Sequence, residues 1–505
     1  MSTLRRVGGA DLAVLGLLAA LSGTLLLANL GNQYLWEDEA QTALLARSIL
    51  AHGIPHGSEG TSSFSQELGA EFGPDGVWRW HTWLSFYAVA ASFALLGESA
   101  FAARLPFALL GVATVLATWQ LGRELWRDRV AAAAGAGLLA LSVPFLLLAR
   151  QSRWYALAAF LEVGGLVAYA RLAPGRRGPT WALGAALVLL FHTHFLYAGL
   201  LLSALGLHAA FFAREKRRAL VAAAAGAAVF CVPWLLWLAG VRLGAGYVER
   251  LQTPAASLRF AAAYARLLFA IFLAHGLWLL ALPLLALRRL ARGERAWTAE
   301  PGISSAAALV ALHTGVGVAL LGALSPGVYL RYLAPLVPPL FALAGLAVGA
   351  LARAWPALGA AAAAAWVLSG PLDAFVYEIT HDYDGPIEGI VEFLRHNARP
   401  GDSVAIVYGD LPLKFYTHLR VVGGLTGEDL EAARGADWII LRAHNPAPVS
   451  RGMRETLRRW IAEGDYARIV LDAPELPFEN REDVRLHYFR TVKAARRVEI
   501  WGRRR

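Results

Sequence analysis

The chain has 505 residues, of which 57% are apolar and only 17% charged; an ordinary soluble protein is about 25% charged. With a mean hydropathy of +0.47, this excludes a wholly soluble or disordered chain. Lys and Arg number 47 against 37 Asp and Glu, a net charge of +10, which suits either nucleic acid or the cytoplasmic loops of a membrane protein. The single cysteine, Cys231, excludes internal disulfides and a cysteine-based zinc site. Abundant Ala, Arg and Gly with little Lys reads as bacterial.

Crossing a bilayer takes about 20 apolar residues. Eleven segments meet that need: 11–30, 101–122, 130–149, 154–171, 180–196, 197–213, 219–240, 264–287, 303–324, 330–352 and 355–372. The first has no small-residue cleavage site after it and reads as an uncleaved anchor. A twelfth apolar stretch, 83–97, is short and ends on Glu98. Charge decides its place. With eleven spans and a cytoplasmic N-terminus, all six basic groups face the cytoplasm: Arg5/Arg6, Arg123/Arg127/Arg129, Arg171/Arg176/Arg177, Arg214/Lys216/Arg217/Arg218, Arg288/Arg289/Arg292/Arg295 and Arg353. Segment 83–97 is therefore expected to be an interfacial or re-entrant helix on the outer side. The loops 31–100 and 241–263 and the tail then lie outside too.

Residues 375–505 read as a soluble, extracytoplasmic α/β domain following a membrane domain of residues 1–374. A helix is expected over Ile387–Asn397, introduced by Asp384-Gly-Pro386, and another over Arg451–Glu463. Strands are expected at Ser403–Tyr408, Arg420–Val422, Trp438–Leu441 and Arg468–Leu471. The tail holds 20 basic and 20 acidic residues, so the whole surplus of +10 sits in the membrane part. It is a topology signal, and no nucleic-acid partner is expected. Neither G-x-G-x-x-G nor a Walker A motif is present.

The most informative stretch is Trp36-Glu37-Asp38-Glu39-Ala, directly after the first apolar segment. Its carboxylates could cap the helix expected over Ala40–His52, which Gly53 and Pro55 close. Alternatively, one could serve as a general base at the membrane edge. Further on come Trp80-His81-Thr, Phe101-Ala-Ala-Arg104-Leu-Pro106, Leu121-Gly-Arg123, Ala149-Arg150-Gln-Ser-Arg153-Trp-Tyr155, Thr193-His194-Phe and Arg331-Tyr332-Leu-Ala-Pro335. In this order and spacing they resemble the GT-C membrane glycosyltransferases. The likeness is to the branch with protein O-mannosyltransferases and the aminoarabinose transferases of lipid A (glycosyltransferase families 39 and 83), and it covers most of residues 1–372. The chain departs from that pattern at Arg79-Trp-His81-Thr and at Tyr155, which leaves sugar and acceptor open.

The resemblance implies a polytopic helical membrane protein of a bacterial plasma membrane. It would transfer a hexosyl or pentosyl unit from a polyprenyl-phosphate donor to a protein, lipid A or other envelope glycan. It implies Asp38 as base and Glu39 as its helper, orienting the acceptor or assisting a divalent metal; whether a metal is needed stays open. A lipid phosphate leaves as a stable anion, so a single base could suffice, with inversion at the sugar carbon. Arginines at the outer ends of segments suit that phosphate: Arg150, Arg153 and Arg331, with Tyr332 beside the last. His194 and His81 could donate to phosphate or acceptor. Glu162, an intramembrane carboxylate, is a further candidate or a helix-packing group. Loop 241–263 is a candidate lid or a plain surface loop, and Tyr408–Tyr416 a strand-to-helix junction that could touch the acceptor. The competing class is a transporter or flippase of a lipid-linked sugar, for which a repeat would be expected; none is seen.

Overall fold

The computed structural model describes residues 8–60, 62–240, 253–273, 301–367, 370–423, 427–443, 448–475 and 496–504. Arg5/Arg6, the group Arg288–Arg295, residues 241–252 of the outer loop and 274–287 of the eighth expected span lie outside the described residues.

The first two helices frame the motif. Helix α1 (Gly9–Leu27) is almost uniformly apolar, and α2 (Glu37–His52) opens on the three carboxylates and ends at Gly53, whose φ of +80° glycine adopts freely. Helix α3 (Leu84–Leu96) has 13 residues, about 20 Å at 1.5 Å per residue, too short for a hydrocarbon core of about 30 Å. Helix α4 (Ala100–Trp126) starts under a Ser99 cap, and α5 (Arg129–Ala140) under Asp128, whose carboxylate accepts the N–H groups of Val130 and Ala131. Then follow α6 (Val143–Ala149), α7 (Tyr155–Ala170), α8 (Arg177–Thr193), α9 (Phe195–Phe211), α10 (Arg217–Gly240), α11 (Pro254–Leu273), α12 (Pro301–Leu324), a 3-10 turn (Leu330–Leu336), α13 (Val337–Ala354), α14 (Pro356–Val367) and α15 (Gly370–Thr380).

Every segment expected to span carries helix, but the count of eleven is not reached. Among the described residues, five helices are long and apolar enough to cross: Gly9–Leu27, Ala100–Trp126, Arg214–Leu238, Gly302–Leu324 and Leu330–Ala354. The pair α5–α6, bent by 64°, makes a sixth if it is one span. Length accounts for four of the missing spans, and the eighth, 264–287, is described only as far as Leu273. Helices α7, α8 and α9 have 16, 17 and 17 residues, or about 24–26 Å, and the longest described helix in the segment 355–372 is α14, with 12 residues.

Small residues set the closest helix crossing. A Cβ on Gly345 of α13 would strike the Ala131 carbonyl of α5, and one on Gly349 would sit 2.7 Å from the Ala131 Cα. Several expected cytoplasmic arginines also bind helices together. Asp11 of α1 accepts from Arg123 and Arg129 at 3.0 Å each, and Arg353 pairs with Asp128.

The tail contains a five-stranded sheet built from β3 (Ser403–Ile406), β4 (Arg420–Gly423), β5 (Trp438–Ile440), β6 (Tyr466–Pro474) and β7 (Arg497–Arg503), in the order β4-β3-β5-β7-β6. Strand β3 is parallel to both β4 and β5, and β7 is antiparallel to β5 and β6. Two short strands in the outer loop, β1 (Ser58–Glu59) and β2 (Ser62–Ser63), form a separate hairpin. The period-2 alternation of β3 sorts the packing. Val404 and Ile406 pack with Ile387, Ile390 and Leu394 of α16 (Pro386–Asn397). Ala405 faces the other way, toward Met453, Leu457 and Trp460 of α18 (Pro448–Glu463). Helix α17 (Asp410–Tyr416) follows β3 after Gly409, at φ +98°, and lies against α2 of the membrane part.

Candidate active site

The three carboxylates open α2 at successive positions, 100° apart around the helix axis, and all three are buried. They point to three different sets of partners.

Glu39 is fully engaged. Arg104 of α4 grips it with two hydrogen bonds, Nε to Oε1 at 2.8 Å and Nη2 to Oε2 at 2.6 Å, and the backbone N–H of Ser152 donates to Oε1 at 2.7 Å. The remaining Arg104 donors reach the carbonyls of Leu30, Gln33 and Tyr34 at 2.7–3.1 Å. One buried ion pair thus ties the chain entering α2 to α4 and to the turn after α6. Sequence reasoning quoted Arg104 in a motif without naming it a site residue; a lone charge inside an apolar run was the available signal.

Asp38 faces Arg153. The Arg153 Nη2 lies 3.9 Å from Oδ2, and Nη1 donates to the Asp38 carbonyl at 3.0 Å and to Thr42 Oγ1 at 3.1 Å. Tyr155, Tyr332 and Arg331 share this neighbourhood: Asp38, Arg153, Arg331 and Tyr332 all act electrostatically on Tyr155. Arg331 lies over the Tyr329 ring at 4.3 Å and near Tyr332 at 5.8 Å, held by the 3-10 turn. Tyr197 donates to the Tyr332 carbonyl at 2.8 Å. Trp154 is the hub of the aromatic wall, with ring centroids 4.7 Å from Tyr155, 4.7 Å from His194, 5.1 Å from Tyr197 and 6.1 Å from Tyr332. His194 is buried in that wall, and its Nδ1 has no hydrogen-bond partner among the described residues.

His81, in the loop ahead of α3, is buried beside Trp78 and Phe86. Burial pushes its pKa down to about 3, and the Arg153 charge adds to this. It is neutral at pH 7. With Nδ1 3.1 Å from the Thr82 carbonyl, that nitrogen carries the proton and Nε2 is left as an acceptor. This suits an acceptor hydroxyl better than a phosphate.

Arg150 has different work. Its Nη1 donates to the carbonyls of Leu25, Leu26 and Ala28 at 2.8–3.1 Å, and Nη2 to Asn29 at 3.3 Å. It caps the C-terminus of α1, where a cation meets the negative end of the helix dipole. The structure therefore brings Asp38, Arg153, Arg331, Tyr332, His194 and His81 into one region and places Arg150 on the α1 cap.

Asp38 and Glu39 are each engaged with an arginine in this structure. Both Glu39 oxygens are taken, Asp38 meets a guanidinium, and no three His, Cys, Asp or Glu side chains converge among the described residues. Glu162 of α7 is fully buried, and its Oε2 lies 3.0 Å from His313 Nε2 of α12. It joins two helices side chain to side chain.

Glu37 turns toward the tail, where its side chain reaches Asp410 of α17. Burial pushes the Asp410 carboxyl above its usual range, against the pull of Lys414 at 3.7 Å. Lys414 also donates to the Ser63 carbonyl at 2.7 Å and to both Glu428 oxygens at 3.1 Å.

No family model matches the chain, and no curated protein sequence does. Solved structures do match. ArnT from Cupriavidus metallidurans in the apo state superposes with a TM-score of 0.64 at 15% identity, covering 98% of each chain. The same protein bound to undecaprenyl phosphate gives 0.61 at 14% identity, again over 98% of each. The archaeal oligosaccharyltransferase AglB from Archaeoglobus fulgidus, in complex with an inhibitory peptide and a dolichol-phosphate, gives 0.55 at 14% identity over 86% of this chain and 69% of that one. At such identities the shared property is architecture, and it runs nearly from end to end: the chain has the GT-C fold.

Proposed function

We propose that this protein is an integral membrane glycosyltransferase. It takes a sugar from a polyprenyl-phosphate carrier and transfers it, with inversion, to an envelope acceptor at the outer face. The observation that carries the reading is Asp38 set against Arg153 at the mouth of an aromatic wall, with Arg331 beside it. The fold neighbours support it through their ligands, undecaprenyl phosphate in ArnT and dolichol-phosphate in AglB.

In this reading Asp38 accepts the proton of the acceptor O–H or N–H as that atom attacks the anomeric carbon. The bond from that carbon to the phosphate oxygen breaks, and its electron pair leaves on the lipid phosphate. Arg153 and Arg331 hold the anion with directed guanidinium hydrogen bonds. Trp154, Tyr155 and Tyr332 form an apolar, hydrogen-bonding wall for the sugar, and Arg104–Glu39 fixes the geometry.

The test is transfer of radiolabelled sugar from a polyprenyl-phosphate donor by purified protein in vesicles, with mass spectrometry of envelope glycolipids and glycoproteins from a deletion strain to identify the acceptor. Arg331→Ala should raise the KM for the donor more than for the acceptor; the opposite pattern removes its phosphate role. Orientation is tested by Arg459→Cys on an exposed face of α18, in a Cys231→Ser background. Labelling from outside by an impermeant reagent is expected, and labelling only after permeabilisation places the tail in the cytoplasm.

The transporter reading has one observation in its favour, the buried Glu162–His313 pair between two apolar helices. Movement of intact lipid-linked sugar without cleavage of its phosphate bond would establish it instead.

A further inference from the structure

The segment that delivers Asp38 is held from two sides. Tyr34, Leu35 and Trp36 have no regular secondary structure, and Trp36, at the N-cap of α2, makes no side-chain cap. On the membrane side the Tyr34 carbonyl is bound by Arg104 at 3.1 Å. On the other side contacts come from the tail. The Leu35 N–H donates to the Tyr416 hydroxyl at 2.9 Å, and the Tyr34 N–H donates to Glu388 Oε1 at 2.7 Å. The rings of Tyr34 and Tyr416 stack at 4.2 Å. Asn32 donates to the His381 carbonyl at 2.8 Å, and Arg47, further along α2, donates to the Phe415 carbonyl at 3.2 Å while lying over that ring. Lys414 fastens the far side of the outer loop through Ser63.

We propose that the tail sets the position of Asp38, with Tyr416 and Glu388 as positioning residues acting through the backbone N–H groups of Leu35 and Tyr34. This deepens the transferase reading and rests on it. The physical case is one of hydrogen-bond accounting. A helix leaves its first N–H groups unsatisfied, and the chain leading into it must be fixed by outside partners. Here the partners for the two amides ahead of the N-cap are supplied by a hydroxyl and a carboxylate more than 350 positions away in sequence. The general base lies only three residues beyond Leu35. A carboxylate that must meet a hydroxyl within hydrogen-bond reach tolerates little displacement, since about 1 Å of misplacement can cost ~100-fold in rate. The strand-to-helix junction Tyr408–Tyr416 thus carries function without touching substrate.

The test uses the full-length protein in vesicles. Tyr416→Phe keeps the stacked ring and deletes the acceptor oxygen; Glu388→Gln keeps the shape and weakens the acceptor. In the double variant, hydrogen–deuterium exchange at Tyr34 and Leu35 should rise by about 5-fold or more, the scale of one lost hydrogen bond. The kcat should fall about 10-fold, with the donor KM within about 2-fold of wild type. Unchanged exchange overturns the proposal. So does faster exchange with an unchanged kcat, or a kcat loss that merely follows a lower unfolding temperature. If the wild-type protein transfers no sugar, the transferase reading fails, and the exchange result alone decides whether the tail fixes this segment.

Discussion

Asp38 and Glu39 are adjacent carboxylates of almost the same chemistry, yet their substitution should do opposite things. Glu39→Gln removes a charge from a pair whose members are nearly inaccessible, with side-chain exposures of 1% for Glu39 and 7% for Arg104. Three donated hydrogen bonds lose a charged acceptor, and the Arg104 guanidinium is left buried without its counter-ion. Breaking such a pair from one side costs about 3–5 kcal/mol, which for a chain of this size lowers the apparent Tm by roughly 5 °C. Asp38→Asn is nearly isosteric. The Arg153 contact to its carboxylate is 3.9 Å, outside hydrogen-bond range, and the stronger contact, to the backbone carbonyl at 3.0 Å, survives the change. Its stability cost should therefore be smaller than that of Glu39→Gln, while loss of the base, in the transferase reading, lowers kcat by about 100- to 10,000-fold. The assay pairs turnover with a thermal scan of detergent-solubilised protein at one fixed rate, because unfolding of large membrane chains is irreversible and the apparent Tm depends on scan rate. An Asp38→Asn protein that melts as early as Glu39→Gln but still turns over would refute the assignment of base to one residue and brace to the other.

Two further outcomes follow from single residues. His81 is held neutral with a pKa of about 3, against about 6.5 when unfolded; its contribution is present above pH 6.5 and is lost as pH falls, by about 2 kcal/mol at pH 5. Replacing it by Asn should flatten the decline of Tm between pH 7.5 and 5, and parallel profiles for the two proteins would show that His81 is not the group responsible. Gly345→Ala drives a methyl group into the Ala131 carbonyl and the Gly135 backbone at the α5–α13 crossing, costing about 1–3 kcal/mol. Gly164→Ala, with no atom within 4 Å of the added Cβ, serves as its control, and equal Tm values for the two would disprove tight packing at that crossing.

Much of this architecture could be read from local pattern, and the gaps have identifiable causes. Apolar runs marked the helices, because helix burial needs only composition, but they overstated span length. The run 130–149 breaks after Ala140, ahead of Pro144, whereas 330–352 is long enough to cross although it opens as a 3-10 turn around Pro335 before α13 takes over. Prolines mark both places, and hydropathy is blind to them. Short β-branched and apolar runs located β3 to β6, whereas β7 was missed although Val498 and Ile500 alternate in it. The arginines are the sharper case. Arg150 and Arg153 lie three residues apart with the same chemistry, and sequence assigned them one role. What separates them is the end of α1, more than 120 residues earlier, whose carbonyls take up Arg150. No local pattern encodes which of two arginines meets a distant helix end.

The same reasoning explains why an acidic triplet needs a tail more than 350 residues away. Successive positions at 100° on the first turn of α2 cannot all face one ligand. Glu39 turns to α4 and is consumed by Arg104; Glu37 turns to α17 and meets the Asp410–Lys414–Glu428 cluster; Asp38, between them, faces Arg153 and the aromatic wall. The outer two fix the rotation of the helix about its axis from opposite sides, and that rotation decides where the middle carboxylate points. In the transferase reading the triplet is one device with two anchors and one reacting group, and a change at either anchor should appear in kcat only to the extent that it rotates Asp38.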